Sequence, residues 1–542
     1  MKKIILTSIF SFILFVLHYQ SAFSQVTQEW VKRYNGQGNG VDMATSVAVD
    51  GSGNVFVTGG SHIGSGYDNA TIKYNSAGEE QWVRRINGTQ NFDFDVWVIA
   101  ADASGNSYVT GASRGDFITV KYDPSGNSLW DAIYNGTGNG GDKSTSIALD
   151  RLGNVYVTGF SYGSDSYSDY ATIKYDSSGV QQWVARYNGT GNFTDLPGSI
   201  AIDTSGNVYV TGQSYNGSSN NDFATIKYNS SGIEMWVSIY SGSSFSSNQK
   251  NSVIADNSGN VYVTGPSWGG ITGFDFATIK YNSSGIQEWA SRYNGESNAN
   301  DQASAVTIDD SGNVYVTGGS YSGLSGRYVT VKYNSQGMQQ WVSIYPGTGN
   351  WNAKATSIAL DHYGNIYVTG ESGGNFTVSD FATIKYNSAG DSLWIMRYNG
   401  PLNSNDGAKS MALDNSGNVY VTGPSPGNGT DWDYATVKYS QQTGISQISS
   451  VIPEQFSLSQ NYPNPFNPVT NLEFGISELG FVSLKIYDVM GREIQTLVNE
   501  RLTPGSYNYQ FSTVNYQLSS GVYFYRLTAG EFTDVKKMIL IK

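Results

Sequence analysis

Residues 206–212 read Gly-Asn-Val-Tyr-Val-Thr-Gly, and this string decides the fold because it recurs along most of the chain. With Tyr or Phe at its fourth position it occurs eight times, at Asn54, Asn106, Asn154, Asn207, Asn260, Asn313, Asn365 and Asn418. Successive copies are 52, 48, 53, 53, 53, 52 and 53 residues apart. A period of this size indicates one supersecondary unit that is repeated in a solenoid or a propeller.

One repeat, residues 198–240, contains four short runs rich in β-branched and aromatic residues. They are predicted as strands A to D, at 199–203, 207–211, 223–228 and 235–240. Tight turns separate A from B and C from D, and a longer polar loop lies between B and C. Four such strands predict one antiparallel sheet, which is a propeller blade.

The two ends of the array predict a closed ring. The first strand, around Trp30, has the D pattern, and the last strand, at 433–439, has the C pattern without a D strand after it. Each of the four patterns occurs eight times when that first strand is counted. The sequence therefore predicts an all-β fold, an eight-bladed β-propeller of four-stranded blades, in which the first strand completes the last blade.

These repeats resemble the bacterial β-propeller repeat family abbreviated SBBP over residues 28–439. The family is often described as seven-bladed, whereas eight copies are present here, and we follow the count. The resemblance implies a propeller fold and implies no reaction.

The first 24 residues have the pattern of a signal peptide. Lys2 and Lys3 precede an apolar run at 4–17, and Ala22 and Ser24 are small residues at the positions that signal peptidase reads. We expect cleavage before Gln25 and a propeller at 25–440. The alternative is a membrane anchor, for which the run is short. No later stretch approaches spanning length, so no transmembrane segment is predicted in the mature chain.

Composition excludes several classes of function. The chain has no cysteine, which rules out disulfides, thiolate metal sites and cysteine nucleophiles. The formal net charge of −13 opposes binding to nucleic acid. No phosphate-binding Gly loop followed by a helix is present. We therefore expect no cofactor, no metal and no nucleic-acid partner.

The composition changes after Tyr439. Residues 441–452 are polar and are predicted to be a linker. Residues 453–542 open with a Pro-rich stretch and continue with predicted strands at 471–476, 482–488, 493–498, 506–511, 522–527 and 532–541. This pattern predicts a small Ig-like β-sandwich.

Four stretches of this module are distinctive: Tyr462-Pro463-Asn464-Pro465-Phe466-Asn467-Pro468, Ile486–Arg492 with Gly491 and Arg492, Ser520–Leu527 with Gly521, and Lys536-Lys537-Met538. They make the module similar to the C-terminal sorting domain of type IX secretion cargo in Bacteroidetes-like bacteria. The resemblance implies a signal-peptide route to the periplasm and then export by the type IX secretion machinery to the extracellular space or the outer cell surface. An ordinary Ig-like stalk or adhesion module is the alternative.

Strand alternation places the B–C and D–A loops, which vary in length, on one face of the ring, called the variable face below. Asp recurs there before strand C (Asp68, Asp116, Asp169, Asp222, Asp275, Asp380 and Asp433) and before strand A (Asp42, Asp142, Asp195, Asp301 and Asp406). These carboxylates could form an acidic mouth, or each could accept backbone N–H bonds in its own loop. We expect the second, because a feature of nearly every blade serves the blade.

Departures from the repeat are the candidate ligand-binding residues. An aromatic follows strand B in four repeats, Arg327 replaces the Asp before strand C in the sixth, and two Trp lie in variable-face loops; the set is Tyr162, Tyr215, Trp268, Tyr321, Arg327, Trp351 and Trp432. Exposed aromatic rings beside Asp and Asn can stack on sugar rings and bond their hydroxyls. A peptide or protein ligand, and simple packing of loops, are also left open.

No catalytic residue is predicted. Beyond the signal peptide the His are His62 in a B–C loop and His362 in an A–B turn, on opposite faces, so a Ser-His-Asp triad is not expected. A pair of carboxylates could still serve a glycan hydrolase or lyase. The predicted function is a secreted, non-catalytic binding scaffold, and the alternatives are a glycan-active enzyme and a structural surface-layer protein.

Overall fold

The computed structural model describes residues 25–541 except 65, 88–96, 139, 165–166, 216–220, 242–250, 323–324, 349–351, 362–363, 375–377, 443–444 and 514–517. The predicted signal peptide at 1–24 lies outside the described residues. The described chain divides into two compact units, one at Val26–Gln441 and one that contains the residues from Gln442 onward.

The described residues of the first unit form eight four-stranded sheets, numbered below as blades 1–8. In blades 1–7 the strands A, B, C and D follow one another along the chain and along the sheet, and neighbours are antiparallel. Blade 8 takes its fourth strand from the start of the chain. The predicted all-β, eight-bladed architecture is confirmed.

The strand bounds, in the order A to D, are as follows. Blade 1 has Asp42–Val49, Val55–His62, Tyr67–Tyr74 and Glu80–Ile86, and blade 2 has Val98–Ala101, Ser107–Ser113, Asp116–Tyr122 and Ser128–Tyr134. Blade 3 has Lys143–Leu149, Val155–Tyr162, Ser168–Tyr175 and Gln181–Tyr187, and blade 4 has Asp195–Ile202, Val208–Tyr215, Asn221–Tyr228 and Glu234–Tyr240. Blade 5 has Ser252–Ala255, Val261–Trp268, Phe274–Tyr281 and Gln287–Tyr293, with a short 3-10 turn at Gly270–Thr272. Blade 6 has Asp301–Ile308, Val314–Ser322, Ser325–Tyr333 and Gln339–Tyr345, and blade 7 has Ala353–Leu360, Ile366–Ser372, Asp380–Tyr386 and Ser392–Tyr398. Blade 8 has Ser410–Leu413, Val419–Pro426, Trp432–Gln442 and Gln25–Tyr34.

Strands B and C are covered on both faces, which accounts for their β-branched and aromatic composition. In blade 4, Val208 and Ile226 are fully buried. Thr211 and Thr225 are buried as well, and their hydroxyl groups bond each other at 3.0 Å. The ring of Tyr209 packs into the core of blade 5. Each blade therefore shares an apolar layer with its neighbour, so every blade is needed to bury the apolar faces of the blades beside it.

The A–B turns explain the recurring Asp-x-Ser-Gly-Asn string. The Asp203 carboxylate accepts the N–H groups of Ser205 and Asn207 at 2.9 Å each, and it accepts the Tyr209 hydroxyl at 2.8 Å. Gly206 has a φ of +77°, which glycine adopts without strain. One carboxylate thus shapes the turn and fixes it to strand B.

Strand B of blade 4 is longer than the sequence indicates. The sequence predicts that the strand ends at Thr211 and that a loop follows to Asp222, whereas pairing continues to Tyr215 opposite Asn221. Backbone groups covered by the adjacent blades need partners, so the ladder persists where the side chains become polar. Tyr215 is therefore carried by a strand end and not by a loop.

Adjacent blades are joined at the C–D turn by a Lys and a Trp. In blade 1, Lys73 Nζ and Trp82 Nε1 both donate to the backbone oxygen of Pro124 in blade 2, at 2.8 and 3.2 Å. The same bond from Trp to the next blade recurs at Trp30, Trp130, Trp183, Trp236, Trp289 and Trp341. Among the described residues, Trp394 Nε1 of blade 7 has no partner, because blade 8 is built from both chain ends and has no C–D turn.

Blade 8 closes the ring. The first strand, Gln25–Tyr34, lies beside Trp432–Gln442 as strand D of this blade. Blade 8 also packs on blade 1, where the Tyr434 hydroxyl donates to the backbone oxygen of Ala70 at 3.2 Å. The predicted closure by the first strand is what the structure has.

The second unit has two four-stranded sheets among its described residues. One contains, in sheet order, Ile445–Ser449, Gly505–Ser512, Val469–Ile476 and Ser457–Leu458, and the other contains Glu493–Leu502, Gly480–Tyr487, Gly521–Ala529 and Phe532–Leu540. Both contribute to one hydrophobic core, as in a β-sandwich. The stretch 441–452, predicted as a linker, contains the edge strand Ile445–Ser449, because Ile445 packs against this core.

Candidate functional site

The acidic residues before strand A shape the loops that carry them. Between blades 3 and 4, Asp195 is fully buried and accepts the Gly189 N–H at 2.6 Å. In the same loop, Asn188 Nδ2 donates to Asn192 Oδ1 at 2.6 Å. Burial raises the pKa of Asp195, although its hydrogen bonds partly offset that effect. Equivalent bonds join Asp42, Asp142, Asp301 and Asp406 to the N–H groups of Gly36, Gly136, Gly295 and Gly400.

Most acidic residues before strand C are paired with an arginine of strand D. In blade 3, Arg186 donates to the Asp169 carboxylate at 2.9 Å and to the Ser161 hydroxyl at 2.8 Å. Equivalent ion pairs of 2.7 to 4.0 Å join Arg33 with Asp433, Arg85 with Asp68, Arg292 with Asp275 and Arg397 with Asp380. These carboxylates are therefore engaged within their own blades.

Blades 2, 4 and 6 depart from this arrangement. The strand-D arginine is replaced there by Ile133, Ile239 and Ile344. In blade 6 the positive charge lies on strand C, where Arg327 is opposite Ser320 in the register that Asp169 occupies opposite Ser161. Arg327, predicted as a ligand contact, is half-buried on that strand.

A crevice of about 270 Å³ opens on the variable face between blades 3 and 4, and three aromatic rings line it. Tyr167 precedes strand C of blade 3, Phe193 lies in the next D–A loop, and Tyr215 ends strand B of blade 4. Tyr167 and Phe193 stack with centroids 5.7 Å apart and planes inclined by 16°. Phe193 meets Tyr215 at 5.0 Å and 90°. Because Tyr167 is 58% exposed and Phe193 is 39% exposed, the rings form an accessible aromatic surface.

Polar groups complete the crevice. Thr194, Leu196, Gln213 and Asn221 are the other lining residues. Asn221 Nδ2 donates to Gln213 Oε1 at 3.2 Å, which orders the two amides against each other. Residues of these six types carry no charge at neutral pH. The crevice thus combines apolar ring surface with hydroxyl and amide groups, the usual composition of a small-molecule site.

The loop that carries Phe193 does not need its ring. Counted from the dipeptide that opens the loop, the equivalent residue is small in four other D–A loops, namely Gly40, Gly140, Ala299 and Ser404, and it is aromatic in two, namely Phe92 and Trp351. The preceding Asn is left-handed wherever it is described, with φ between 47° and 49° at Asn39, Asn192, Asn298 and Asn403. The backbone conformation is thus independent of the next side chain, and the loop does not require a ring at this position.

One of the predicted ligand contacts, Tyr215, lies in the crevice, and the structure does not bring the others to it. Sequence reasoning missed Tyr167 and Phe193. Tyr167 lies in a B–C loop of irregular length, whereas Phe193 occupies the loop position of the predicted residue Trp351, so comparison of the D–A loops was the signal that could have found it. The remaining predicted residues are separate: Tyr162, Trp268 and Tyr321 are near the ends of strand B in blades 3, 5 and 6, Trp432 begins strand C of blade 8, and Trp351 lies outside the described residues.

In the second unit, the Pro-rich motif is bound to the last strand. Phe466 is 2% exposed, and its N–H donates to the Ile539 oxygen at 2.9 Å. Asn464 Oδ1 accepts the Ile539 N–H at 3.0 Å. This strand also contains Lys536 and Lys537, so two of the distinctive stretches are joined directly.

The other distinctive stretches form a turn and a strand of the same sandwich. The Asp488 carboxylate accepts the N–H groups of Met490 and Arg492 at 2.9 Å each, and Gly491 has a φ of +75°. Gly521 begins the strand that pairs with the last one. The motif residues are therefore connected within one folded module.

Two family models match parts of the chain. A beta-propeller repeat model matches residues 291–324 and 345–377, and a model of the secretion system C-terminal sorting domain matches residues 460–542. No curated protein matches the sequence.

Several solved structures match the chain at low identity. A fungal alcohol oxidase of the AA5 family, in complex with copper, is 12% identical, with a TM-score of 0.39 over 95% of this chain and 99% of that one. The polysaccharide lyase Uly1 is 11% identical, with a TM-score of 0.39 over 62% and 88%. An α-L-arabinanase of Penicillium chrysogenum, complexed with arabinobiose, is 12% identical, with a TM-score of 0.35 over 54% and 92%. At this level of similarity nothing about reaction or ligand follows.

The four-stranded blades and the matched repeats define a β-propeller protein with a C-terminal sorting domain. The sorting domain indicates type IX secretion, which delivers the chain to the cell surface or the extracellular space. Within the part of the chain that the structure describes, no helix is long and apolar enough to cross a membrane. The same residues contain no cluster of His, Asp or Glu that could hold a metal ion.

Proposed function

We propose that the protein is a secreted, non-catalytic binding scaffold whose ligand occupies the crevice between blades 3 and 4. The observation that carries the proposal is the ring cluster of Tyr167, Phe193 and Tyr215, which is exposed where the repeat requires no ring. The cluster stands on a strand end and on a loop that a buried carboxylate holds in shape. A site formed in advance loses little conformational entropy on binding.

The state of the carboxylates supports binding over catalysis. Cleavage of a glycosidic bond needs two carboxyl groups that reach the substrate, one of which gives a proton. The described carboxylates before strand A are occupied by backbone N–H groups, and those before strand C in five blades are occupied by arginine. Asp116 of blade 2 and Asp222 of blade 4 are different because Ile133 and Ile239 stand in place of the arginine, and burial together with Asp142 raises the pKa of Asp116. A catalytic alternative depends on these two residues.

The test combines retention and turnover. The chain from residue 25 to 542 is applied to immobilised polysaccharides and to a displayed peptide library, and new reducing ends are measured in the same samples. Phe193→Ser and Asp116→Asn are the two diagnostic variants. Retention that is lost in Phe193→Ser, without new reducing ends, supports the proposal. New reducing ends that disappear in Asp116→Asn would overturn it and make the protein an enzyme.

A further inference from the structure

Resting on the proposed function, we propose that the crevice binds one sugar ring of an uncharged polysaccharide. The shape of the cluster is the first reason. Tyr167 presents an exposed ring that is supported from behind by Phe193, and Tyr215 closes the side at a right angle. A flat, buttressed ring is the surface on which the apolar C–H face of a pyranose packs. Three mutually fixed rings lose little side-chain entropy when the sugar arrives.

The polar lining is the second reason. A sugar carries hydroxyl groups around the edge of its ring, and each one needs a partner when water is removed. The crevice supplies the Thr194 hydroxyl and the amides of Gln213 and Asn221 beside the aromatic surface. Because Asn221 and Gln213 bond each other at 3.2 Å, they are presented in a fixed arrangement. Amides both donate and accept, which suits hydroxyl groups.

Charge excludes anionic sugars. The seven lining residues include no Lys, Arg or His to pair with a carboxylate or sulfate. Two buried carboxylates adjoin the lining, since Asp195 lies between Thr194 and Leu196, and Asp222 follows Asn221. The net charge of −13 adds long-range repulsion. A uronate or a sulfate ester would therefore be desolvated without a partner for its charge, whereas an uncharged ring brings only hydroxyl groups, which the polar lining can bond.

The size of the crevice sets how much of the polymer is held. Pockets that enclose a drug-sized ligand have volumes of roughly 300–1,000 Å³. The crevice, at about 270 Å³, lies just below that range. It therefore accommodates one ring, and the rest of the chain extends over the variable face.

The experiment separates the rings from the rest of the variable face. Phe193→Ser introduces the residue that the last D–A loop has as Ser404, so the loop conformation is retained and the melting temperature stays within about 3 °C of the wild type. Tyr167→Ala removes the exposed ring. Trp432→Ala is the matched control, because it removes a ring of blade 8 that lies outside the crevice. All are made in the chain from residue 25 to 542.

Dissociation constants are measured against β-glucan, mannan, starch and dextran, and against alginate, polygalacturonate and dextran sulfate. Dextran and dextran sulfate share a backbone and differ in charge. We expect at least one uncharged polymer to bind, about tenfold or more weakly to Phe193→Ser and Tyr167→Ala, and equally to Trp432→Ala. The charged polymers are expected not to bind at the crevice.

Three other outcomes are informative. Ring-dependent binding of charged polymers alone would refute the uncharged class, and so would ring-dependent capture of peptides without any glycan. In both cases the proposed binding function survives. Retention that is the same in all variants refutes both the inference and the proposed function.

Discussion

The Nε1 atom of Trp82 in blade 1 lies 3.2 Å from the backbone oxygen of Pro124 in blade 2 and donates a hydrogen bond to it. This bond crosses from one blade to the next, and its equivalents recur around most of the ring. Each bond is a directional contact that supplements the apolar packing between adjacent blades and constrains the angle between them.

We expect Trp82→Phe to lower the free energy of unfolding more than Trp394→Phe. Both indoles are 7% exposed, but Trp394 Nε1 has no partner among the described residues. Since Lys73 still satisfies the Pro124 oxygen in the variant, Trp82→Phe loses one net hydrogen bond, about 1 kcal/mol, whereas Trp394→Phe removes a buried donor that has no partner among the described residues. Urea unfolding of the two variants measures it. Equal losses would show that the bond adds nothing to the packing of the ring.

Removal of residues 25–40 is expected to open the ring. Strand C of blade 8 then becomes an exposed edge, which favours aggregation. We predict a lower melting temperature and larger species in size-exclusion chromatography. A synthetic peptide with the sequence of residues 25–40, added during refolding, should restore the monomer by strand addition. An unchanged melting curve contradicts closure by the first strand.

Two aspartates, the buried Asp301 and the half-buried Asp203, are predicted to respond to pH with opposite sign. Burial raises the pKa of Asp301, which bonds from Gly295 and Ser320 offset in part. Burial also opposes the charge of Asp203, but hydrogen bonds, chiefly from Asn207, outweigh it and lower its pKa. Asp301 therefore contributes stability below the unfolded pKa of about 4 and loses it as pH rises through its folded pKa, whereas Asp203 contributes stability above about 4 and loses it as pH falls through its folded pKa.

The measurement is the melting temperature of the wild type, Asp301→Asn and Asp203→Asn between about pH 3 and pH 7. Relative to Asp301→Asn, the wild type should lose stability as the pH rises. Relative to Asp203→Asn, it should gain stability over the same interval. Parallel curves for all three proteins would show that neither pKa differs between the folded and unfolded chain.

Two substitutions in blade 6 can introduce the ion pair between a strand-C Asp and a strand-D Arg that five other blades have. The double variant Arg327→Asp, Ile344→Arg recreates the pair that Asp169 and Arg186 form at 2.9 Å. Arg327→Asp alone should be destabilising, and the second substitution should recover about 0.5–1 kcal/mol through a partly exposed ion pair. A double-mutant cycle from urea unfolding gives the coupling. Additive losses would mean that blade 6 does not hold the pair geometry.

Phe466→Ala is expected to impair export by unfolding the sorting domain. Its buried ring contributes to the single core of the sandwich, and its loss should cost roughly 3–5 kcal/mol. Tyr462→Ala is the control, because Tyr462 belongs to the same motif but is 79% exposed. The readout is the propeller in the medium or on the cell surface against the periplasmic fraction. Normal surface display after deletion of residues 453–542 is the result that refutes the sorting role.

The blade count and the closure were readable from the sequence because repetition multiplies a weak local signal. A single Gly-Asn-x-Tyr-Val-Thr-Gly string indicates a turn and a strand, and eight copies at one spacing indicate a ring. The assignment of the first strand to the last blade followed from counting the strand patterns A to D. The added length of strand B, to Tyr215, did not follow, because burial by neighbouring blades sustains pairing in a stretch whose own composition is polar.

The crevice was not predicted because its rings come from three separate segments. Tyr215 occupies a repeated aromatic position, and it was identified for that reason. Tyr167 stands in a B–C loop of irregular length, 26 residues before Phe193, and their contact depends on how blade 3 meets blade 4. Alignment of the D–A loops would have shown that Phe193 shares its position with the aromatic residues Phe92 and Trp351 and with small residues in four other loops.

Because the first strand completes the last blade, the ring of the propeller can close only late in the synthesis of the chain. Strand Gln25–Tyr34 leaves the ribosome before every other strand of the propeller, yet its partner Trp432–Gln442 is made some four hundred residues later. This strand therefore stays unpaired until almost all of the propeller has been made, and no shorter nascent chain can finish the ring. The sorting domain follows strand Trp432–Gln442 in the sequence. A chain that contains the sorting domain for export therefore also contains all the strands that the ring needs to close.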